Sequence, residues 1–149
     1  MRFDHPIYPL LGRLMIVYIF ATSGLGKALS WEGNIRYMST RHLPLIPLLL
    51  AIAMVIELGG SLCLILGYRT REAAFVMFLY LTAVTVIYHN YWALSGMGQG
   101  MMETQFRKNL GIMGGLLVVA YAGAGRWSID RLRGAPMRDP VEGKSVARA

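Results

Sequence analysis

The chain has 149 residues, of which 55% are hydrophobic and 15% are charged, and the apolar residues stand in long blocks. A soluble domain needs more polar surface than this, so we expect the chain to lie in a lipid bilayer. Its formal charge is +7, but the basic residues gather at the ends of the apolar blocks and in the tail, which favours lipid headgroups over nucleic acid as the partner. A single cysteine, Cys63, excludes an intrachain disulfide and a CxxC redox pair.

Residues 7–26 form the first apolar block. The block is longer than the hydrophobic region of a typical signal peptide and follows few basic residues, so we interpret it as a retained transmembrane helix. Arg13 lies near its start, and we expect its long side chain to extend to the headgroups. Residues 28–42 are polar and predict a loop with a short interfacial helix, because Trp31 and Tyr37 suit the headgroup zone.

Residues 43–68 form the second block, which is long enough as a helix to cross the ~30 Å hydrocarbon core. Glu57 is the only charged residue in its apolar part and lies close to its middle. A carboxylate at that depth costs on the order of 3 kcal/mol or more when it faces lipid. We therefore expect Glu57 to face the interior of a helical bundle, while Gly59 and Gly60 allow a neighbouring helix to approach closely.

Residues 73–93 predict a third span, which ends in a belt of aromatic residues that includes His89 and Asn90. We expect a loop over residues 94–106.

A fourth span is predicted over residues 107–125, with Lys108 and Asn109 in its first turn. Gly111 and Gly115 give this span a GxxxG packing face. Because its apolar part is short, we expect a thin local membrane or a polar cap at its start.

These elements predict an all-α integral membrane protein, a bundle of four antiparallel transmembrane helices. Its membrane domain covers residues 1–131, and a basic, mobile cytoplasmic tail covers residues 132–149. Ten lysines and arginines fall on the side that holds both termini and five on the other side. By the positive-inside rule both termini are cytoplasmic.

The predicted topology brings most polar residues of the apolar blocks into the outer half of the bundle. We expect a polar pocket that opens towards the outer leaflet or the periplasm. In it, Glu57 and His89 are the predicted catalytic residues, and a proton-carrying carboxyl beside a histidine suits either quinone chemistry or proton movement. The predicted ligand-binding residues are Lys27, Asn90, Lys108 and Asn109. No metal site is expected, since His89 is the only histidine near the pocket.

Several short motifs, in this order and spacing, resemble the DoxX family of small bacterial inner-membrane proteins. They are SGLGK at 23–27, IELGG at 56–60, LGYRTR at 66–71, YHNYW at 88–92, KNL at 108–110 and GRWSID at 125–130. The resemblance covers about residues 7–131. It implies a four-helix membrane bundle in the bacterial inner membrane.

The resemblance also implies a link to membrane-bound redox systems, and we expect a membrane subunit that binds a quinone or a small oxidisable solute. In this hypothesis Glu57 holds a proton, His89 and Asn109 bond to the ligand's oxygens, and Lys27 and Lys108 supply positive charge. A redox partner subunit or a homo-oligomer is compatible with it. Two alternatives stay open: a non-catalytic anchor for a partner complex, and a carrier of small solutes. The residues themselves leave open whether the protein is an enzyme.

Overall fold

The computed structural model describes residues 5–134, and every regular element in that range is helical. The prediction of an all-α protein is therefore confirmed. The elements are α1 (Ile7–Leu29), α2 (Trp31–Ser39), α3 (Ile46–Met54), a π-helical turn (Val55–Gly59), α4 (Gly60–Leu66), α5 (Thr70–Tyr88), a 3₁₀ turn (Tyr91–Ala93), α6 (Met97–Ala122) and α7 (Ile129–Leu132).

Four long helical segments pack side by side. The first is α1, the second runs through α3, the π-helical turn and α4, and the third and fourth are α5 and α6. The second segment packs along α1, and α5 packs against both α4 and α6. The core between them is apolar and consists of Val17, Phe20, Leu64, Ala74, Met77, Leu81, Met113 and Leu116.

The outer surface of this bundle is apolar, the reverse of a soluble protein. Met15, Tyr18 and Val55 are each more than 70% exposed, whereas Arg13 and Glu57 are buried. Within the described residues, three segments are long and apolar enough to cross a membrane: Ile7–Leu29, Ile46–Leu66 and Thr70–Ala93. These exposed apolar side chains are the surface that lipid would cover.

Helix α6 begins at Met97, so the loop predicted over residues 94–106 was wrong for most of its length. Its first half is polar and its apolar half begins at Leu110, which explains why the spacing of apolar residues marked only the second half. The short helix predicted within residues 28–42 is confirmed as α2. The predicted mobile tail, residues 132–149, falls almost wholly outside the described residues.

Arg13 does not extend to the headgroups as predicted, because its side chain is 1% exposed. Its Nη1 donates to the carbonyl oxygen of Leu64 at 2.8 Å and its Nη2 to that of Trp127 at 2.7 Å. The first of these carbonyls belongs to the last turn of α4, where backbone oxygens lack helical partners. Arg13 therefore ties α1 to the end of α4 and to the chain after α6. We call this end of the bundle the Arg13 end.

Asp130 completes the Arg13 end. Its two carboxylate oxygens accept hydrogen bonds from the backbone N–H groups of Arg69 (2.7 Å) and Thr70 (2.9 Å), at the start of α5. Burial alone would raise the pKa of Asp130, but these hydrogen bonds and the charge of Arg13 lower it below its ordinary value of 3.8. A carboxylate in this position offsets the positive end of the helix dipole.

The second span is not a regular α-helix, because residues Val55–Gly59 form a π-helical turn that contains Glu57. A π turn inserts one extra residue and is frequent at functional sites. Directly after it, Gly60 allows the predicted close approach: a Cβ there would lie 2.5 Å from Sδ of Met77. Gly59 has open space instead.

Candidate functional site

A buried ion pair joins the first and second spans at mid-bundle. Lys27, near the end of α1, places its Nζ 2.9 Å from both Oε1 and Oε2 of Glu57. The side chain of Glu57 is 4% exposed and that of Lys27 is 19% exposed. The expectation that Glu57 faces the bundle interior is confirmed, and Lys27 is its partner.

Two hydroxyl groups complete the surroundings of this pair. Tyr80 donates to Oε1 of Glu57 at 2.7 Å and Ser23 donates to the same oxygen at 3.1 Å. Lys27 also donates to Oγ of Ser23 at 2.6 Å, so its ammonium makes hydrogen bonds to three oxygen atoms. Such a network is what a charged lysine and a charged carboxylate need away from water.

Tyr80 was not among the site residues predicted from the sequence. Tyrosines in membrane proteins commonly lie in the headgroup belts, yet Tyr80 is the eleventh of the nineteen residues of α5. That central position is the signal that could have identified it. We call Ser23, Lys27, Glu57 and Tyr80 the Glu57 cluster.

A cavity of about 440 Å³ reaches from the Glu57 cluster towards the end of the bundle opposite Arg13. We call it the Glu57 cavity. All four long helical segments contribute to its wall, and α2 lies along it with Asn34, Tyr37 and Met38. The polar pocket predicted for this half is therefore present as a cavity whose wall is mostly apolar and whose polar groups are few.

The wall of the Glu57 cavity includes side chains that also lie on the outer surface of the bundle. Ile19, Ile52 and Ile87 line it and are 37–45% exposed. All three are apolar and lie within predicted transmembrane spans. The cavity is thus bounded partly by side chains that a bilayer would touch, a geometry that suits entry of a lipid-soluble molecule.

Unpartnered polar atoms lie at the far end of the Glu57 cavity. His89 and Tyr88 both line it, and Nδ1 of His89 and the hydroxyl oxygen of Tyr88 are buried without a hydrogen-bond partner among the described residues. Arg41 donates to the backbone oxygen of Tyr88 at 3.2 Å, and Tyr37 stacks on its ring with centroids 5.5 Å apart. Buried polar atoms without partners are uncommon and point to a missing one.

Asn109 also lines the cavity, and its Nδ2 donates to Oγ1 of Thr85 at 2.9 Å. Two other predicted ligand-binding residues do not line it. Lys108 is exposed on α6. Asn90 is half-buried and does not line the cavity, and its Oδ1 has no hydrogen-bond partner among residues 5–134. Lys27, Glu57, His89 and Asn109 are therefore brought to one cavity, whereas Lys108 and Asn90 are not.

Within residues 5–134, no three His, Cys, Asp or Glu side chains lie close enough together to hold a metal ion. The polar groups that line the Glu57 cavity are a lysine, a carboxylate, hydroxyls, amides and one imidazole. Such groups donate and accept hydrogen bonds, and the carboxylate and the imidazole can also take up a proton.

Comparison with known proteins identifies the relatives of this chain. The family described as DoxX matches residues 8–90. The chain is 33% identical to the inner membrane protein YphA of Escherichia coli over 85% of its own length and 90% of that protein. It is 32% identical to the inner membrane protein YqjF of the same organism, over 83% of this chain and 89% of YqjF.

A third relative is the ER-derived vesicles protein ERV29 of Saccharomyces cerevisiae, which is 35% identical over 80% of this chain but only 31% of that protein. No solved structure matches. The relatives and the three apolar spanning helices together make this a multi-pass inner-membrane protein. The family match over more than half of the chain, with two relatives matched over about nine-tenths of their own length, shows that this protein belongs to the DoxX family.

Proposed function

We propose that this protein is the membrane subunit of a redox system and binds the headgroup of a quinone in the Glu57 cavity. One observation carries the proposal: a buried Lys27–Glu57 ion pair forms the polar end of a cavity whose wall is otherwise mostly apolar and partly lipid-facing. Ligand sites commonly combine an apolar wall with a few polar groups in ~300–1,000 Å³. The cavity, at about 440 Å³, lies in that range.

The residues present fit such a headgroup. A quinone carries carbonyl oxygens on opposite sides of its ring, so a site needs polar groups at two ends. At one end lie the ammonium and hydroxyl groups of the Glu57 cluster, whose hydrogens now go to oxygens within the cluster and would have to turn to a quinone oxygen. Asn109 and His89 lie towards the other end. Ile19, Phe20 and Val84 give the apolar wall between them. When bound, a quinone would supply two-electron, two-proton redox chemistry.

Glu57 would hold a proton, and Lys27 would supply positive charge, beside the bound ligand. Oε1 of Glu57 accepts hydrogen bonds from Ser23, Lys27 and Tyr80, whereas Oε2 accepts one from Lys27 alone. Oε2 is therefore the atom at which Glu57 has room to take a proton. When Glu57 holds a proton, the positive charge of Lys27 is no longer offset and would favour an anionic ligand in this half of the cavity. Thr85 orients the amide of Asn109.

Quinone binding by the purified protein tests this proposal. We expect saturable binding of a short-chain ubiquinone or menaquinone analogue in nanodiscs. Glu57→Gln and Lys27→Gln should each weaken it about tenfold, the effect of losing one charge-assisted hydrogen bond.

Matched controls exist on α6. Glu103→Gln removes a carboxylate that pairs with Arg107 outside the cavity, at 2.6 Å, and Lys108→Gln removes an exposed ammonium. Both controls should bind the quinone as the unaltered protein does. An absence of saturable binding would contradict the proposal, and so would equal losses in the controls.

A second candidate function is a non-catalytic subunit that assembles with a partner in the membrane. It is favoured by the open surface at Gly111 and Gly114 of α6, where a Cβ would meet no atom of the described residues within 4 Å, while Gly115 packs near Ile16. Small residues let another helix approach closely. Copurification of a partner that Gly111→Leu abolishes, with no quinone bound, would favour this candidate over the first.

A further inference from the structure

A second cavity of about 240 Å³ lies at the Arg13 end, between the start of α5 and the chain that joins α6 to α7. We call it the arginine cavity. Three arginines line it: Arg69 and Arg71 at the start of α5, and Arg131 in α7. This cavity lies at the opposite end of the bundle from the mouth of the Glu57 cavity, so it is a separate site.

Two carboxylates also line the arginine cavity, but one of them is already engaged. Asp130 turns both oxygens to the backbone N–H groups of Arg69 and Thr70, so its charge acts on the start of α5. Glu72 is exposed. Three positive charges against two negative ones leave the arginine cavity with a net positive charge.

The backbone of residues 123–125 forms one wall of the arginine cavity. Gly123 has a φ of +84°, and a Cβ there would lie 3.1 Å from Nε of Arg71, so the guanidinium lies directly against this glycine. The backbone N–H groups of Ala124 and Gly125 donate no hydrogen bond to another described residue. These N–H groups belong to residues that line the same cavity as the three guanidinium groups, and both kinds of donor can bind an anion.

Aromatic residues place the arginine cavity at the level of the lipid headgroups. Trp127, in the chain that joins α6 to α7, is 50% exposed, and its ring lies 6.2 Å from that of His5. Tyr8, in the first turn of α1, is also 50% exposed. Exposed tryptophan and tyrosine rings are typical of the membrane–water interface.

We propose that the arginine cavity binds the phosphate group of an anionic ligand, with an anionic phospholipid headgroup as its source. Arginine binds phosphate through a planar fork of donors, which gives both charge and direction to the contact. Positive residues of cytoplasmic loops attract anionic lipids in general. The arginine cavity adds a concave site with backbone donors, so binding depends on particular arginines.

The test is the thermal stabilisation of the purified full chain in detergent by short-chain phosphatidylglycerol, phosphatidylcholine and inorganic phosphate. We expect phosphatidylglycerol to raise the melting temperature saturably and phosphatidylcholine to have little effect. Arg71→Gln and Arg131→Gln should each weaken the apparent affinity about tenfold. Arg133→Gln is the matched control, since Arg133 lies over the ring of Tyr68 at 5.2 Å and does not line the cavity.

Each outcome decides the proposal. Stabilisation by inorganic phosphate with the same dependence on Arg71 and Arg131 would support the phosphate site and assign a free anion as its source. An equal loss in Arg133→Gln would overturn the proposal, because general surface charge would then explain the binding. No saturable response to either phosphate compound would also overturn it. Circular dichroism checks folding, and Arg131, exposed in the short helix α7, keeps the test valid if Arg71→Gln does not fold.

Discussion

Removing Lys27 should destabilise the protein more than removing Glu57, its partner in the buried ion pair. Lys27→Met leaves Oε2 of Glu57 with no donor among the described residues, in a side chain that is 4% exposed. Removing one partner of a buried ion pair costs about 3–5 kcal/mol, because the other charge stays buried without its partner. The hydroxyls of Ser23 and Tyr80 still donate to Oε1, so we expect a loss near the lower limit, about 3 kcal/mol.

Glu57→Gln should cost less, about 1 kcal/mol, because Lys27 is 19% exposed near the end of α1 and can turn its ammonium towards the headgroups. The double variant, Lys27→Met with Glu57→Gln, leaves no charge buried without a partner. We expect it to lose about 2 kcal/mol, roughly half the sum of the two single losses.

The assay is reversible unfolding in mixed detergent micelles, followed by circular dichroism, for the two single variants, the double variant and the exposed control Lys108→Met. Two results would refute the reasoning: single losses that add up in the double variant, or a Lys27→Met loss no larger than that of the control. Either would mean that the two side chains do not depend on each other for stability.

Three further predictions concern other contacts. Tyr80→Phe removes the 2.7 Å hydrogen bond to Glu57 and should cost about 1–2 kcal/mol in the same unfolding assay; no loss would mean that the hydroxyl does not serve the carboxylate. The pKa of Asp130 is lower in the folded than in the unfolded protein. The stabilisation that Asp130 gives the folded state is therefore complete above pH 3.8 and is lost as the pH falls through the lower, folded pKa. Asp130→Asn should therefore lower stability at neutral pH by about 1 kcal/mol and flatten its fall in acid; an unchanged acid profile would contradict this. Gly67→Ala should cost about 1–3 kcal/mol, because φ is +64° there and an added Cβ crowds Ser128, whereas Gly111→Ala, in open space, should cost nothing.

The sequence was sufficient to predict the class of fold and the centre of the site. Long apolar blocks can be satisfied in a bilayer only as helices, so the first three spans were predictable from length and hydropathy, whereas helix α6 does not meet the same criterion. A single carboxylate in the middle of one block had to face inward, and Glu57 does. Its partner could be expected from topology, since Lys27 ends the first span on the side where the second begins.

Neighbouring residues on a helix could not be assigned to faces from sequence. Successive residues point about 100° apart, so Lys108 and Asn109 cannot both face the interior. The structure turns Asn109 to Thr85 and leaves Lys108 exposed, and the sequence pattern alone gave no rotation for α6. Likewise His89 lines the cavity and Asn90, the next residue, does not.

Contacts made to backbone groups also could not be predicted from the sequence. Arg13 was expected at the headgroups because an arginine near a helix start commonly extends there. Instead it donates to backbone oxygens of Leu64 and Trp127, which are 51 and 114 residues away. Carbonyl groups carry no sequence signal, so such a partner appears only once the chain is folded.

A high-resolution density map of the detergent-extracted protein with added quinone tests the central claim most directly. We predict headgroup density inside the Glu57 cavity, between the Lys27–Glu57 pair and His89, with the tail passing out between the helices into the detergent. A quinone bound elsewhere, an empty cavity at saturating quinone, or a Glu57 side chain turned towards lipid would contradict the account.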